Sequence, residues 1–197
     1  MKQICVLVSG SGSNLQAIID AIKDKKLKEA NIALVISNKN NAYGLTRAKE
    51  ASIKSIFINP KDFSSNLEYD KNLVEIINTH NIDLIVLAGY TKILTDLFVN
   101  SFPNKIINIH PALLPNFGGK GMYGKHVHEA VLKSGVPESG CTVHYVTNEI
   151  DAGPIISQKK VPVLKGDTVD TLSKRILEEE HKLIVEGIKL ALNRVEA

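Results

Sequence analysis

Residues 4–24 read ICVLVSGSGSNLQAIIDAIKD. A short run of Ile, Cys, Val and Leu (4–8) ends in a Ser-Gly loop. A segment with apolar Leu15, Ile18, Ile19 and Ile22 follows, and that spacing is helical. Strand, glycine loop and helix in that order are the first unit of an α/β fold. Four further apolar runs extend the pattern: IALVIS (32–37), SIFI (55–58), DLIVLAG (83–89) and KIINI (105–109). Longer segments separate them, and this alternation predicts a mostly parallel sheet with crossover helices.

After residue 110 the rhythm changes. GCTVHYVT (140–147) and PIISQKKVPV (154–163) are strand-like, with only NEIDAG between them, so they predict a hairpin-type antiparallel pair. A last long helix is expected to open at Asp167 or Thr168 as cap and to run to about Asn193. Val169, Leu172, Ile176, Leu183 and Ile188 lie on or near one of its faces. There is no internal repeat, low-complexity tract or linker, and 197 residues suit one domain, 1–197.

Lys and Arg number 24 against 21 Asp and Glu, and the net charge of +3 is too small and too scattered to imply a nucleic-acid partner. The densest basic cluster, KDKKLK at 23–28, falls where the first helix should end, and cations there suit the helix dipole. The N-terminal apolar stretch is far shorter than a signal or membrane segment. Cys5 and Cys141 sit in strand-like runs without metal-ligand spacing, so buried free thiols and a reducing, cytoplasmic setting are expected. The sequence is compatible with a monomer or a homodimer.

The loop SGSGSNLQ (9–16) lies between a strand and a helix, where backbone N–H groups and the helix dipole form an anion site. Gly10 and Gly12 permit close approach, and Ser13 and Asn14 can add donors. A serine-capped tight turn is the plainer alternative. A dinucleotide fingerprint would need glycine at Leu15 and an acidic residue where Ser37 and Asn38 stand, and the Walker pattern also fails. The ligand left is a single terminal phosphate on a small molecule.

In INIHPALLP (107–115), Asn108 and His110 are two apart at the carboxyl end of a parallel strand, so they point the same way. Pro111 forces an extended backbone on the residue before it. A surface histidine at a strand end is the ordinary reading. Asp151, in the later turn, changes it: a carboxylate near the ring stabilises imidazolium. Amide and imidazolium then form a pair of donors for a negative oxygen, as acyl transfer requires. No Ser or Cys nucleophile is needed if the substrate's own amine attacks.

Carried by VSGSGSNLQAIIDA, SNKNNAYGLTRA, DLIVLAGY, INIHPALLP, VHYV and DAGPII, the chain resembles the phosphoribosylglycinamide formyltransferases, folate-dependent enzymes of purine synthesis. The resemblance implies a Rossmann-like formyltransferase fold with helices on both sheet faces. It also implies two small-molecule substrates: a phosphorylated ribosylglycinamide and 10-formyltetrahydrofolate, the latter as co-substrate, with no metal. By the same likeness Asn108, His110 and Asp151 are the catalytic trio, and Gly12, Ser13 and Asn14 hold the phosphate. Glu180 contacts the glycinamide end. Thr91, Lys92, Ile93 and Leu94 match a folate-contacting segment, as do Thr147, Asn148, Glu149 and Ile150 beside the pterin. Asn66 stands where many relatives carry a folate-contacting arginine, and Lys92 replaces a common arginine. The loop 116–128 is longer than in some relatives, and no binding residue is assigned within it.

Other enzymes using the same donor share this pattern, including methionyl-tRNA formyltransferase and formyltetrahydrofolate hydrolase; their additional domains are not expected in a single-domain reading of 1–197. A non-catalytic phosphate sensor is the rival from another class. His126 and His128 are two apart in an expected helix and so face different sides, which argues against joint metal ligation and leaves both facing solvent. His80, His144 and His181 are expected to be structural.

Overall fold

The computed structural model describes residues 1–194. Seven strands form one sheet: β1 (Lys2–Val8), β2 (Ala30–Ser37), β3 (Ser55–Phe57), β4 (Leu84–Leu87), β5 (Ile106–His110), β6 (Glu138–Tyr145) and β7 (Ile155–Pro162). Their order is β3-β2-β1-β4-β5-β6-β7. The first five pair in parallel, and β5–β6 and β6–β7 pair antiparallel. All five parallel runs and the terminal hairpin therefore fall where the sequence placed them, within a residue or two at most ends. Beyond β3 the chain returns to β4 on the other side of β1, so the strand order reverses there. In open α/β sheets a crevice forms at that reversal, outside the carboxyl ends of the strands.

Six α-helices cover the sheet: α1 (Ser13–Lys23), α2 (Tyr43–Glu50), α3 (Asn66–Asn78), α4 (Asp96–Ser101), α5 (Lys125–Ser134) and α6 (Val169–Arg194). Alternate residues of β1 feed two cores. Ile4, Val6 and Val8 pack with residues of α1 and α6, while Cys5 and Leu7 pack with Tyr69, Leu73 and Ile77 of α3 and Phe98 of α4. Cys5 and Cys141 are buried free thiols, and burial pushes both up, away from the reactive thiolate. Among the described residues no helix is long and apolar enough to cross a membrane.

The last helix shows why its sequence pattern is legible. Leu172, Ile176, Leu183, Ile184 and Ile188 are buried against the sheet, and charged residues occupy the opposite face. Of the two possible caps, Thr168 takes the role. Its hydroxyl accepts from the Thr171 N–H at 3.2 Å, while the Thr171 hydroxyl accepts from the Thr168 N–H at 2.9 Å. Two orphan donors are thereby satisfied reciprocally. Asp167 instead makes a forked contact with Arg175, 2.8 Å at each nitrogen.

Thr168→Ala is expected to lower unfolding free energy by about 1 kcal/mol, and Thr168→Ser to retain most of it. Urea denaturation of the two variants checks this; equal losses would mean that the methyl, not the hydroxyl, matters.

Candidate active site

The carboxyl ends of β1, β4 and β5 open onto a cavity of about 720 Å³, within the size range of small-molecule sites. Its floor begins with Gly10–Asn14. Gly12 is the N-cap of α1, left-handed at φ 67, and no side chain caps the helix. The serine-capped turn is therefore not what forms, and the first-turn N–H groups face the cavity without a side-chain acceptor. A Cβ at Gly12 would stand 2.6 Å from the Gly44 Cα, so only glycine lets α2 approach the loop this closely.

The Asn14 side chain serves differently from expectation. It is buried, and its Nδ2 donates to Glu180 Oε2 at 2.8 Å, so the side-chain amide faces α6 rather than standing as a free phosphate donor. Glu180 is itself buried, and burial pushes its carboxyl up to about 7, against the opposing bond from Asn14. Asn14 Oδ1 has no partner among the described residues.

Asn108 and His110 line the cavity from the same face of β5. His110 Nε2 lies 2.8 Å from the Phe117 carbonyl oxygen, which can only accept, so Nε2 carries a proton. The other nitrogen, Nδ1, is 3.6 Å from Asp151 Oδ2. Burial pushes the ring's pKa down and the neighbouring His144 adds to this; the Asp151 charge and the Phe117 bond oppose. The balance falls below the ordinary histidine value. Asp151 thus favours the imidazolium, as its chemistry predicts, but burial outweighs it.

Asp151 is held in left-handed backbone, φ 55, a conformation that Asp tolerates better than most residues. Burial pushes its carboxyl up, but His144, the His110 charge and the Gly119 N–H together hold it below the ordinary range. The Gly119 N–H donates to Oδ2 at 3.0 Å. A Cβ at Gly118 would meet Leu114 Cδ2 at 2.6 Å and Asp151 Cβ at 3.1 Å. Residues 117–119 therefore clasp His110 and Asp151 together, in the very loop where the sequence assigned no role.

Thr91, Lys92, Ile93 and Leu94 line the cavity after β4. Thr147, Asn148, Glu149 and Ile150 line it after β6. Asn66 does not line it. Its Oδ1 accepts from Lys92 Nζ, which also lies 5.0 Å from the centre of the Tyr69 ring, so Asn66 acts on the cavity only through Lys92.

Two further histidines lie on the cavity, one of them against expectation. His126 is exposed, but His128, on the other side of α5, is 4 % exposed and lines the cavity, so it does not face solvent. His144, expected to be structural, is 2 % exposed, lines the cavity and stands directly opposite Asn108 in the β5–β6 register, its Nε2 3.2 Å from Asn108 Nδ2. Antiparallel register, once known, would have revealed it. His80 bonds to Thr79, Ile76 and Lys54 away from the cavity, and His181 does not line it. Among the described residues no group of three His, Cys, Asp or Glu is placed to hold a metal ion.

Residues 2–188 match the formyl transferase family. The chain is 45% identical over 189 residues to the phosphoribosylglycinamide formyltransferase of Haemophilus influenzae, covering 96% of this chain and 86% of that protein. It is 46% identical over 199 residues to the trifunctional purine biosynthetic protein adenosine-3 of Drosophila pseudoobscura pseudoobscura, covering 98% of this chain but only 14% of that protein's length. Among solved structures, glycinamide ribonucleotide transformylase 1 from Symbiobacterium toebii superposes with a TM-score of 0.93 at 43% identity, covering 98% of this chain and 88% of that one.

Glu180 links the site to stability. Between about pH 4.5 and 7 the folded protein keeps a proton on Glu180 that the unfolded chain has released, so this group's contribution falls as pH rises through that window. Above it, the ionised buried carboxylate costs about 3 kcal/mol. Glu180→Gln keeps an acceptor for Asn14 and is expected to match the parent protein near pH 4 and exceed it above pH 7 by up to that amount. Paired denaturation curves at the two pH values check this; a uniform offset would mean that Glu180 is not the titrating group.

Proposed function

Because the chain belongs to the formyl transferase family, we propose that it transfers a formyl group from a folate carrier, 10-formyltetrahydrofolate, to the amine of N1-(5-phospho-D-ribosyl)glycinamide, a step of purine biosynthesis. The observation that carries this reading is the shared cavity. An uncapped helix N-terminus suited to phosphate opens onto the same space as Asn108, His110 and Asp151. The exposed apolar side chains of Ile93 and Ile150 flank that space, which suits a flat, largely apolar carrier with backbone polar groups at its edge.

The residues then take these roles. Gly12, Ser13 and Asn14 hold the phosphate through first-turn N–H groups. Glu180, with Asn14, faces the glycinamide end. The segments 91–94 and 147–150 hold the carrier, with Asn66 orienting Lys92. As the substrate nitrogen bonds to the formyl carbon, Asn108 and His110 meet the negative charge that develops on the formyl oxygen. His110 does so through Nδ1, because Nε2–H is bonded to Phe117. Asp151 raises the proton affinity of that nitrogen against the cost of burial. Collapse breaks the bond from the formyl carbon to the carrier nitrogen, and the proton lost by the attacking nitrogen goes to the departing one. Nδ1 of His110, or a water held by Asp151, is positioned to move it.

The purified protein mixed with both substrates should release tetrahydrofolate in step with formylated product. Free formate instead of product would indicate a hydrolase, and no turnover would leave a sensor. His110→Ala should lose at least about 100-fold in kcat while remaining folded. Asp151→Asn should move the alkaline limb of the pH–rate profile to lower pH, because it removes the charge that opposes burial at the ring. An unchanged profile would refute the pairing.

A further inference from the structure

Asn108 can stabilise an oxyanion only if its NH2 group, rather than its carbonyl oxygen, faces the reacting atom, and an amide left to itself can turn either way. The strand pairing supplies a constraint. Asn108 and His144 are direct cross-strand partners, and both lie on the cavity.

His144 Nδ1 is 2.9 Å from the Tyr145 carbonyl oxygen. A carbonyl only accepts, so this nitrogen carries the proton. In the neutral ring Nε2 then presents a lone pair. Asn108 Nδ2, 3.2 Å away, is within hydrogen-bond reach of it; Asp151 Oδ1, at 3.6 Å, is longer than a hydrogen bond and competes for the ring through its charge, as it does at His110. One hydrogen of the Asn108 amide is thereby engaged, and the geminal hydrogen remains available to the cavity.

We infer that His144 is a positioning residue for the formyl-transfer reaction: as the Nδ1–H tautomer anchored on Tyr145, it accepts one Asn108 amide hydrogen and so keeps the other available to the formyl oxygen. A protonated Nε2 would do the opposite: it would donate to the Asp151 carboxylate or to the Asn108 oxygen, and the Asn108 NH2 would lose its acceptor. The inference rests on the proposed function, because the amide needs a fixed orientation only if an oxyanion forms beside it.

Two measurements test it. The first is 15N NMR of the full-length protein near neutral pH, with His144 assigned by comparison with H144Q. A protonated Nδ1 and an unprotonated Nε2 are expected, and a doubly protonated ring or the opposite tautomer would overturn the inference. This readout needs no substrate, so it stands apart from the formyl-transfer reading, which fails only if the unaltered protein gives no formylated product.

The second is a double-mutant cycle on kcat. H144L should lower kcat by about 10- to 100-fold, less than the roughly 100- to 1,000-fold expected for deleting an oxyanion donor outright, with KM for both substrates little changed. H144Q, whose side-chain oxygen can still accept, should recover part of the loss. In an Asn108→Ala background H144L should cost less than about 3-fold more. A near-parental kcat for folded H144L, or the full loss repeated in the absence of Asn108, would overturn the assignment.

Discussion

The bond between His110 Nε2 and the Phe117 carbonyl decides what the site can do. A ring with one nitrogen committed to a backbone oxygen has only the other left for chemistry, and here that nitrogen faces Asp151 at 3.6 Å. The same loop that contributes the carbonyl donates the Gly119 N–H to Asp151 and packs Gly118 against its Cβ. Ring, carboxylate and loop are therefore one mechanical unit, and a change to the loop would move both side chains without altering either of them. Burial holds the ring below its ordinary proton affinity. A site so balanced gains its proton most readily when a second negative charge develops beside Asp151, which is the condition that a tetrahedral oxyanion creates.

The parts that were legible in the sequence are those governed by local rules. Continuous apolar runs alternating with helical spacing placed the parallel strands, and the short NEIDAG turn placed the hairpin, because each signal is confined to a few neighbouring residues. Asn108 and His110 were legible for the same reason: period two in a strand puts them on one side. His144 was not. Its place beside Asn108 depends on which β6 residue stands opposite that strand, and register is set by the whole hairpin, including an irregularity between Val143 and His144 in its pairing with β7. The burial of His128 was not legible because the two faces of α5 cannot be ranked before α6 is known to pack beside it. The contact of Asn14 was not legible because its partner, Glu180, lies 166 residues away. Nor was the path of residues 117–119, because a glycine-rich loop carries no periodicity from which to infer it.

The Asn14–Glu180 contact also explains why a costly group persists in an otherwise orderly core. Glu180 lies on the buried face of α6, where the helical spacing of Leu172, Ile176 and Leu183 would accept another apolar residue. An apolar side chain there would leave Asn14 Nδ2 without its acceptor, and Asn14 Oδ1 already has none among the described residues. An orphaned buried amide costs as much as the missing bond, so the two polar groups must be kept or lost together. Asn14 stands in the first turn of α1, immediately after the glycine loop, and Glu180 reaches it from the last helix. The pair ties the glycine turn to the last helix through a carboxyl whose burial weakens the fold near neutral pH. That arrangement serves packing poorly. It becomes intelligible if a ligand in the cavity donates to the Glu180 carboxylate, because binding would then offset the cost of its burial.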